Sequence, residues 1–411
     1  MTAAYVEITG LDPIVARDGR PFGDGTGNRM RGLPWPLPSA VAGSARRALV
    51  VAQPERCFDE TTIQQLLATA VAGVFPVVDG QTLYLPAPKN CVWQWDKKRQ
   101  VDAIYRALPQ PLGEGEGCDL PQPGLQPVML QNAPEDDFKP EPVPAWWPVD
   151  ELARWLSGEP FPSGQAKFGT GRFLTAARQQ LRDRVCINPW RGAAEESRLF
   201  AVSDLNVSCL EPHDSQGDER SQTCYSKKRD RRSSVRITLS LRLHPGDLAD
   251  NLSLLHPLGG NRRLVCWRTA PEQEALWKVP ARLADRLAAA RQVCRTLATP
   301  ALFELGYLPG WLDHTLTGSP PGIAGLRVKL VGIICDRWRA LARFSYDWRQ
   351  PGPRPLRRMV PAGSMYFFQV LEGNRPFWPR PGSNPSVMTL RTAVMALAWL
   401  SGVSGKPSRW G

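Results

Sequence analysis

The sequence lacks the closely spaced cysteines and histidines of a metal or redox site. Its nine cysteines form no CxxC pair, and its four histidines form no pair at the i, i+4 spacing of a helical metal site. Because zinc sites and thiol redox motifs use such close pairs, we expect no metal, no cofactor and no dithiol chemistry. An odd number of cysteines in a long chain favours reduced, mostly buried thiols in a cytoplasmic protein.

Long apolar segments are also missing. The longest, residues 392–403, is far shorter than the roughly 20 residues that a membrane helix requires. Residues 1–10 carry neither the apolar core nor the basic lead of a signal peptide, so we expect no membrane association. The 411 residues are 42% hydrophobic, which predicts two domains with a sizeable core, and 40 prolines with 35 glycines favour turns over a helical bundle.

Acidic residues are too few to balance the basic ones. The chain has 51 Lys and Arg against 39 Asp and Glu, a formal charge of +12 and a pI near 9.5. Such an excess attracts polyanions, of which nucleic acid is the commonest, although a merely solvated basic surface has the same composition. The 15 tryptophans are numerous enough to supply core, interface or base-stacking rings.

Apolar spacing predicts an alternating order of strands and helices in residues 1–270. The Asp79-Gly80 pair between two apolar runs is typical of a hairpin turn. The expected elements are strand 5–9, helix 39–51 with Ser39 as N-cap, hairpin 74–85, helix 149–156, strands 198–203 and 234–243, helix 245–254 and strand 263–268. We interpret this order as the βαββαβ order of a ferredoxin-like unit with long insertions. Helix 149–156 falls in a large irregular insertion at about 96–185.

The apolar pattern of residues 271–411 predicts a second, less regular unit of the same kind. Helices are expected at 272–296 and 387–400, and strands at 325–335, 338–346 and 364–371. The predicted fold class is therefore α+β, with two ferredoxin-like (RRM-like, βαββαβ) domains that carry long insertions, at residues 1–270 and 271–411.

Several sequence phrases, taken in order, resemble one known family. They are Asp12-Pro-Ile with Arg17-Asp-Gly-Arg-Pro-Phe22, Pro38-Ser-Ala-Val-Ala-Gly43 with Arg46, Leu85-Pro-Ala-Pro88, Leu258-Gly-Gly-Asn-Arg-Arg263, Ala298-Thr-Pro-Ala-Leu-Phe-Glu-Leu-Gly306, Tyr346-Asp-Trp348 and Val360-Pro-Ala-Gly-Ser-Met-Tyr-Phe367. Together they are similar to the third subunit of the type III-B CRISPR Cmr complex, in the RAMP superfamily group that caps the guide RNA. Residues 96–185 depart from that pattern, and the C-terminal glycines match the superfamily's glycine-rich loop only loosely.

The resemblance implies both the fold and the partners. It implies two ferredoxin-like domains packed together, and a subunit that grips the repeat-derived 5′ tag of the crRNA. Such a subunit lies beside the large polymerase-like CRISPR subunit, at one end of the filament of backbone RAMP subunits, and meets target RNA only indirectly. The family is not known for catalysis of its own, so we expect a protein that is not an enzyme.

A loop rich in arginine and glycine is the first candidate RNA contact. Arg17, Arg20, Arg29 and Arg31 supply positive charge, and the intervening glycines allow main-chain N–H groups to approach phosphates. The rings of Phe22 and Trp35 are candidates for base stacking. The alternative is an ordinary solvated loop.

The helix that follows this loop is the second candidate. The N–H groups and dipole of a helix that begins at Ser39 favour a phosphate, and Gly43 leaves room for the RNA backbone. Arg46 and Arg47 are adjacent, so both cannot face the core of the protein. The alternative is a helix that packs on the sheet with one arginine exposed.

Weaker candidates lie further along the chain. A basic cluster at 227–232 has the composition of a flexible RNA-binding arm, or of a solvated loop. The residues assigned to RNA here are Lys227, Lys228 and Arg229 of that cluster, Arg191 after Asn188-Pro-Trp190, and Arg262 and Arg263 after a double glycine.

Three alternative functions stay open at the sequence level. Relatives in the superfamily cut CRISPR repeat RNA without a metal, usually with a histidine base. The four histidines here, His213, His244, His256 and His314, have no partner at motif spacing. The other two alternatives are a protein that binds acidic protein partners and the equivalent capping subunit of a type III-D complex.

Overall fold

A computed structural model gives the conformation of most of the chain. It describes residues 3–20, 28–54, 59–96, 101–132, 137–159, 168, 171–207, 210–212, 236–244, 251–278, 280, 283, 290–321, 325–345, 352–373 and 394–398. The basic cluster at 227–232 and the glycine-rich residues 21–27 lie outside these ranges, and so do the candidates Lys227, Lys228, Arg229 and Phe22.

The described chain is a mixed structure with few helices and many antiparallel strands. The helices are α1 (Pro38–Val51), α2 (Glu60–Ala68) and α3 (Val149–Leu156), with a 3₁₀ helix at Pro271–Trp277. The first ten strands are β1 (Ala4–Gly10), β2 (Asn28–Arg29), β3 (Ala70–Val78), β4 (Thr82–Pro86), β5 (Cys91–Asp96), β6 (Val101–Pro109), β7 (Val128–Leu130), β8 (Trp146–Pro148), β9 (Gln179–Ile187) and β10 (Ala194–Leu205). The others are β11 (Ile237–His244), β12 (Ser253–Pro257), β13 (Leu264–Thr269), β14 (Gln292–Leu297), β15 (Thr317–Gly318), β16 (Arg327–Ile334), β17 (Arg339–Ser345), β18 (Gly352–Met359), β19 (Met365–Glu372) and β20 (Val394–Ala398).

The main sheet has seven strands in the order β12-β13-β1-β11-β3-β4-β8. Val6 and Ile8 of β1 point into the core, as period-2 alternation requires, and α1 packs on that face through Val41, Ala45 and other apolar side chains. The predicted hairpin is confirmed: Val78 pairs with Thr82, and Asp79 and Gly80 between them have φ of 49° and 70°, the positive values that a type I′ turn requires.

Helix α1 begins one residue before the predicted start. Leu37 is the N-cap, without a side-chain hydrogen bond, and Pro38 opens the first turn. The assignment of Ser39 as N-cap is therefore wrong. Proline suits the first helical position because its fixed φ matches the helix and its missing N–H would have no intrahelical partner.

Residues 96–185 are more regular than the sequence predicts. They contain β6, β7, β8, the confirmed helix α3 and most of β9. The rings of Trp147, Phe168 and Phe173 are fully buried and contact one another edge to face or at a tilt. This aromatic cluster belongs to the main core, so the segment packs with the main sheet and has no separate core around these rings.

A second sheet has the order β15-β16-β19-β14-β20, and two helix predictions fail in it. Predicted helix 272–296 is a 3₁₀ helix at its start and strand β14 at its end, and β20 lies inside predicted helix 387–400. In the main sheet, the end of predicted helix 245–254 overlaps strand β12. Alanine and leucine favour helices locally, but pairing with neighbouring strands decides the outcome in a sheet.

The second sheet contributes to the core of the main sheet and also has an apolar cluster of its own, which contains Leu330 and Phe368. Cys294 of β14 and Phe367 of β19 are buried in the same apolar cluster as the main sheet. Burial raises the pKa of the Cys294 thiol to about 12, so this thiol is neutral and unreactive near pH 7. The domain boundary at residue 270 stays a prediction. Within the described residues, no helix has the length and apolar character to cross a membrane.

Candidate nucleic-acid interface

Backbone contacts bring three candidate segments, residues 12–20, 28–33 and 258–263, together beside the β9–β10 hairpin. Arg17 forms a bridge with Gly32, and Val15 forms bridges with Gly259 and Gly260. Strand β2 runs parallel to β10, with Arg29 beside Ala201. The arginine loop (residues 12–33, of which 12–20 and 28–33 are described) and the 258–263 turn therefore lie at the base of the hairpin.

The arginines of this loop point to the surface. Arg17, Arg20, Arg29 and Arg31 are all exposed. Arg17 donates to the Arg20 carbonyl oxygen at 3.1 Å, and Arg20 pairs with Asp18 at 3.3 Å. Arg29 and Arg31 form no ion pair with any carboxylate in the described ranges. Arg29 and Arg31 thus present positive charge that no described carboxylate neutralises.

The double glycine allows the 258–263 turn to pack against the loop. A Cβ on Gly259, whose φ is 79°, would lie 2.5 Å from the carbonyl oxygen of Val15. Asn261 and Arg262 also have positive φ, at 58° and 49°. Arg262 is exposed at the tip of this turn, where its side chain can reach a ligand.

Arg263 has a partner inside the protein. Its Nη2 donates to Oδ2 of Asp204 at 3.0 Å, and Arg184 Nη2 donates to the same oxygen at 3.2 Å. Arg182 Nε lies 3.4 Å from it. The Asp204 side chain is fully buried, whereas the arginine side chains are 18% to 47% exposed. This Asp204 cluster fixes the hairpin to the main sheet and limits what Arg263 offers to RNA.

The tip of the hairpin carries the most exposed large apolar side chain of the described residues. Trp190 is 94% exposed. Asn188 Oδ1 accepts hydrogen bonds from the backbone N–H groups of Trp190 and Arg191, at 2.9 and 3.1 Å, which holds the tip in a tight turn. The candidate Arg191 is exposed next to this ring, so an indole face and a guanidinium meet solvent together.

The two adjacent arginines of α1 have different environments. Arg46 is half-buried, and its Nη2 donates to the carbonyl oxygens of Leu67 and Thr69 at 3.3 and 3.1 Å, where α2 ends. Burial lowers the pKa of this guanidinium. Arg47 is exposed near His256 of β12 and, after burial, is the second cause that lowers the pKa of that imidazole. Arg46 therefore supports the fold, and Arg47 is available to a ligand.

The start of α1 is open. Ser39 is exposed, and a Cβ on Gly43, which is also exposed, would meet no atom within 4 Å. Leu37 packs with Leu33, so the helix start lies close to the arginine loop. Trp35, by contrast, is not a stacking surface: its Nε1 donates to the Val74 carbonyl oxygen at 2.9 Å and its ring lies 4.4 Å from that of Trp146.

Sequence reasoning missed Arg182, Arg184 and Trp190. The signal for the arginines is their i, i+2 spacing, which places both on one face of a strand. The partner Asp204 lies 20 residues away, and Arg263 a further 59, so no local pattern shows the cluster.

Three of the four histidines lie within the described residues. No group of three or more His, Cys, Asp or Glu side chains within them is arranged to hold a metal ion. His314 is exposed, and the carbonyl oxygen of His256 accepts a hydrogen bond from Trp267 at 3.2 Å in the main sheet. His213 lies outside the described ranges.

Comparison with known proteins identifies the family. Residues 6–385 match the family described as CRISPR-associated protein (Cas_Cmr3), whereas no curated protein matches. A chain from a cryo-EM structure of the type III-B Cmr-beta bound to cognate target RNA is similar at 13% identity and a TM-score of 0.43, over 88% of this chain and 86% of that one. A chain from the Csm3-Csm4 subcomplex of the type III-A CRISPR-Cas interference complex is similar at 8% identity and a TM-score of 0.36, over 92% and 100%. On the family match, which spans nearly its whole length, the chain belongs to the CRISPR-associated Cmr3 family.

Proposed function

We propose that this chain is the non-catalytic RNA-binding subunit of a type III-B CRISPR Cmr effector complex, where it grips the 5′ tag of the crRNA and docks on the large polymerase-like subunit. The family match supports membership in such an assembly. The observation that carries the RNA-binding role is the surface formed by Arg29, Arg31 and Arg262, which are exposed and unpaired with any described carboxylate. Single-stranded RNA requires such phosphate neutralisation.

The strand order supports the fold that this proposal requires. The inner strands of the main sheet are β13-β1-β11-β3, all antiparallel, with α1 between β1 and β3 in sequence. A βαββαβ unit with its fourth strand beside its first has this arrangement. In the proposed assembly the backbone RAMP subunits continue from this chain, and target RNA is met through the guide.

Protection of the tag tests the proposal. In a reconstituted complex with crRNA, nuclease footprinting is expected to show the 5′ tag protected when this chain is present and exposed when it is omitted. An Arg29→Gln/Arg31→Gln variant is expected to weaken protection and to reduce the slope of log affinity against log salt by roughly 1.4, at about 0.7 for each phosphate that is no longer neutralised. Arg327→Gln, which breaks an exposed ion pair with Glu372, is the charge control.

Two outcomes contradict the proposal. If the tag is equally accessible with and without this chain, both alone and beside the large subunit, the chain does not grip the tag. If the chain cleaves CRISPR repeat RNA without added metal, and His→Ala substitutions abolish this, it is an endoribonuclease.

A further inference from the structure

A second arginine-rich surface lies on the ribbon formed by β17 and β18. Residues 337–345 and 352–363 contain no Asp or Glu. They contain six arginines: Arg337, Arg339, Arg343, Arg354, Arg357 and Arg358. Such a one-sided composition in two paired strands indicates a surface for an anion.

Four of these arginines have no internal counter-charge in the part of the chain that the structure describes. Arg337, Arg339 and Arg358 are exposed and Arg357 is half-buried, and none forms an ion pair with a described carboxylate. The nearby Asp336 pairs with Lys89 at 2.6 Å instead. Arg268, by contrast, contacts both Glu7 and Glu272. The charge of the ribbon is therefore available to a partner.

The register of the ribbon fixes which side faces outward. Leu341 and Met359 are buried against Leu33 and Leu37, which attaches one face to the protein. Their register partners Arg357 and Arg339 share that face, where Arg357 is half-buried and Arg339 reaches solvent at the rim. Ala340 pairs with Arg358, and alternation places Trp338 on the same face as Ala340. The Arg358 guanidinium lies 5.0 Å from the centroid of the Trp338 ring, and Trp338 is 44% exposed. The ribbon thus presents an aromatic ring with a cation above it.

This pairing of groups favours single-stranded RNA over an acidic protein surface. Arginine alone suits either partner, but a half-exposed indole beside guanidinium groups suits a splayed base and its phosphate. The ribbon also adjoins the arginine loop, because the Gly19 N–H donates to the Ala340 carbonyl oxygen at 3.0 Å. Arg17 and Arg20 are exposed on either side of Gly19. One strand of RNA can follow both surfaces.

We propose that the β17–β18 ribbon is a second RNA-binding surface, on which Arg358 and, at the rim of the ribbon, the exposed Arg339 contact phosphates and Trp338 stacks on a base. This inference rests on the proposed function, because it extends the path of the same RNA from the arginine loop.

Salt-dependent binding of a tag-bearing single-stranded RNA to the full chain tests the inference. The Arg339→Gln/Arg358→Gln variant is expected to reduce the slope of log affinity against log salt by roughly 1.4, for two phosphates at about 0.7 each. Arg178→Gln/Arg327→Gln removes the same charge from two exposed ion pairs and is expected to keep the wild-type slope. Trp338→Ala is expected to weaken binding about 5- to 150-fold, and Trp338→Phe to restore most of the affinity.

Crosslinking of the wild-type chain tests the inference even if the variants fold poorly. RNA carrying 4-thiouridine, irradiated with the wild-type chain, is expected to label peptides from residues 337–345 or 352–363. If the wild type binds but yields no such crosslink, and the ribbon variants keep its affinity and slope, the ribbon inference is wrong while the proposed function stands. If those variants bind RNA normally but fail to assemble with the other subunits, the ribbon binds an acidic protein, and the inference is again wrong. If the wild type binds no tag RNA, alone or assembled, the proposed function itself fails.

Discussion

The fully buried carboxylate of Asp204 accepts a hydrogen bond from Nη2 of Arg263 at 3.0 Å. Asp204 belongs to β10 and Arg263 precedes β13, so this contact joins the hairpin to the main sheet. Arg182 and Arg184 approach the same oxygen from β9. The orientation of the hairpin therefore depends on one negative charge among three positive ones.

Removal of that charge is expected to destabilise the protein. Asp204→Asn keeps the size of the side chain but leaves three close guanidinium groups without a counter-charge, which we expect to lower the free energy of unfolding by about 1–3 kcal/mol. Urea denaturation measures the change. Asp183→Asn is the matched control, because Asp183 is exposed on the same strand, and its effect is expected within about 0.5 kcal/mol. Equal effects of the two substitutions would show that the cluster does not stabilise the fold.

The adjacent arginines of α1 are expected to separate stability from RNA binding. Arg46→Met keeps the apolar stem but removes the hydrogen bonds to the Leu67 and Thr69 carbonyl oxygens, so the free energy of unfolding is expected to fall by about 1–3 kcal/mol. Arg47→Met, at an exposed position, is expected to change stability by less than about 0.5 kcal/mol.

The RNA affinities of these two variants are expected to show the reverse order, with the larger loss in Arg47→Met. Arg47→Met is expected to weaken binding of tag-bearing RNA, with a smaller salt slope, whereas Arg46→Met binds as the wild type does once it is folded. Fluorescence anisotropy across a salt series measures both. The assignment of Arg46 to the fold is wrong if its variant is as stable as the wild type and loses affinity.

The pH dependence of stability is expected to report on His256 and Arg47. Burial and, second, the charge of Arg47 lower the pKa of His256 in the folded state. In the unfolded state its pKa is about 6.5, so between these two values the unfolded chain binds more protons. The stabilisation that His256 contributes is therefore complete above about pH 6.5 and is lost as the pH falls toward the lower, folded-state pKa.

Arg47→Gln tests the electrostatic part of this effect. Without the nearby positive charge, the pKa of His256 is expected to rise, and the loss of stability between pH 7 and pH 5.5 to become smaller. NMR titration of the imidazole gives the pKa, and His256→Gln identifies its signal. An unchanged titration in the Arg47 variant would mean that burial alone lowers the pKa.

Local sequence patterns predicted those elements whose structure depends on local chemistry. The Asp79-Gly80 pair specified its hairpin because both residues tolerate positive φ. Helix α3 has the predicted bounds, with Asp150 and Glu151 in its first turn and Arg154 in its last, as the helix dipole favours. Strands β16, β17 and β19 also lie where alternation predicted them.

Elements that depend on distant partners were not predictable in this way. The β14 segment, Gln292–Leu297, lies between β19 and β20, and its pairing with distant strands outweighs its helical composition. The candidate site shows the same difference between features set by local sequence and features set by distant partners. Exposed arginines of the loop followed from composition, whereas the role of Arg46 requires the end of α2, a helix that the sequence reasoning did not predict. The β17–β18 ribbon was missed because β18 was not recognised as a strand.

The hairpin tip is expected to bind RNA without contributing to stability. Trp190 is 94% exposed, so Trp190→Ala is expected to change the free energy of unfolding by less than about 0.5 kcal/mol. If a base stacks on this ring, the same substitution weakens binding of tag-bearing RNA by about 1–3 kcal/mol, and Trp190→Phe keeps most of the affinity. Leu199→Ala, at an exposed apolar position in the same hairpin, is the control and is expected to bind RNA as the wild type does. Wild-type affinity of the Trp190→Ala variant, measured at the same salt concentration, would show that the tip does not contact the RNA.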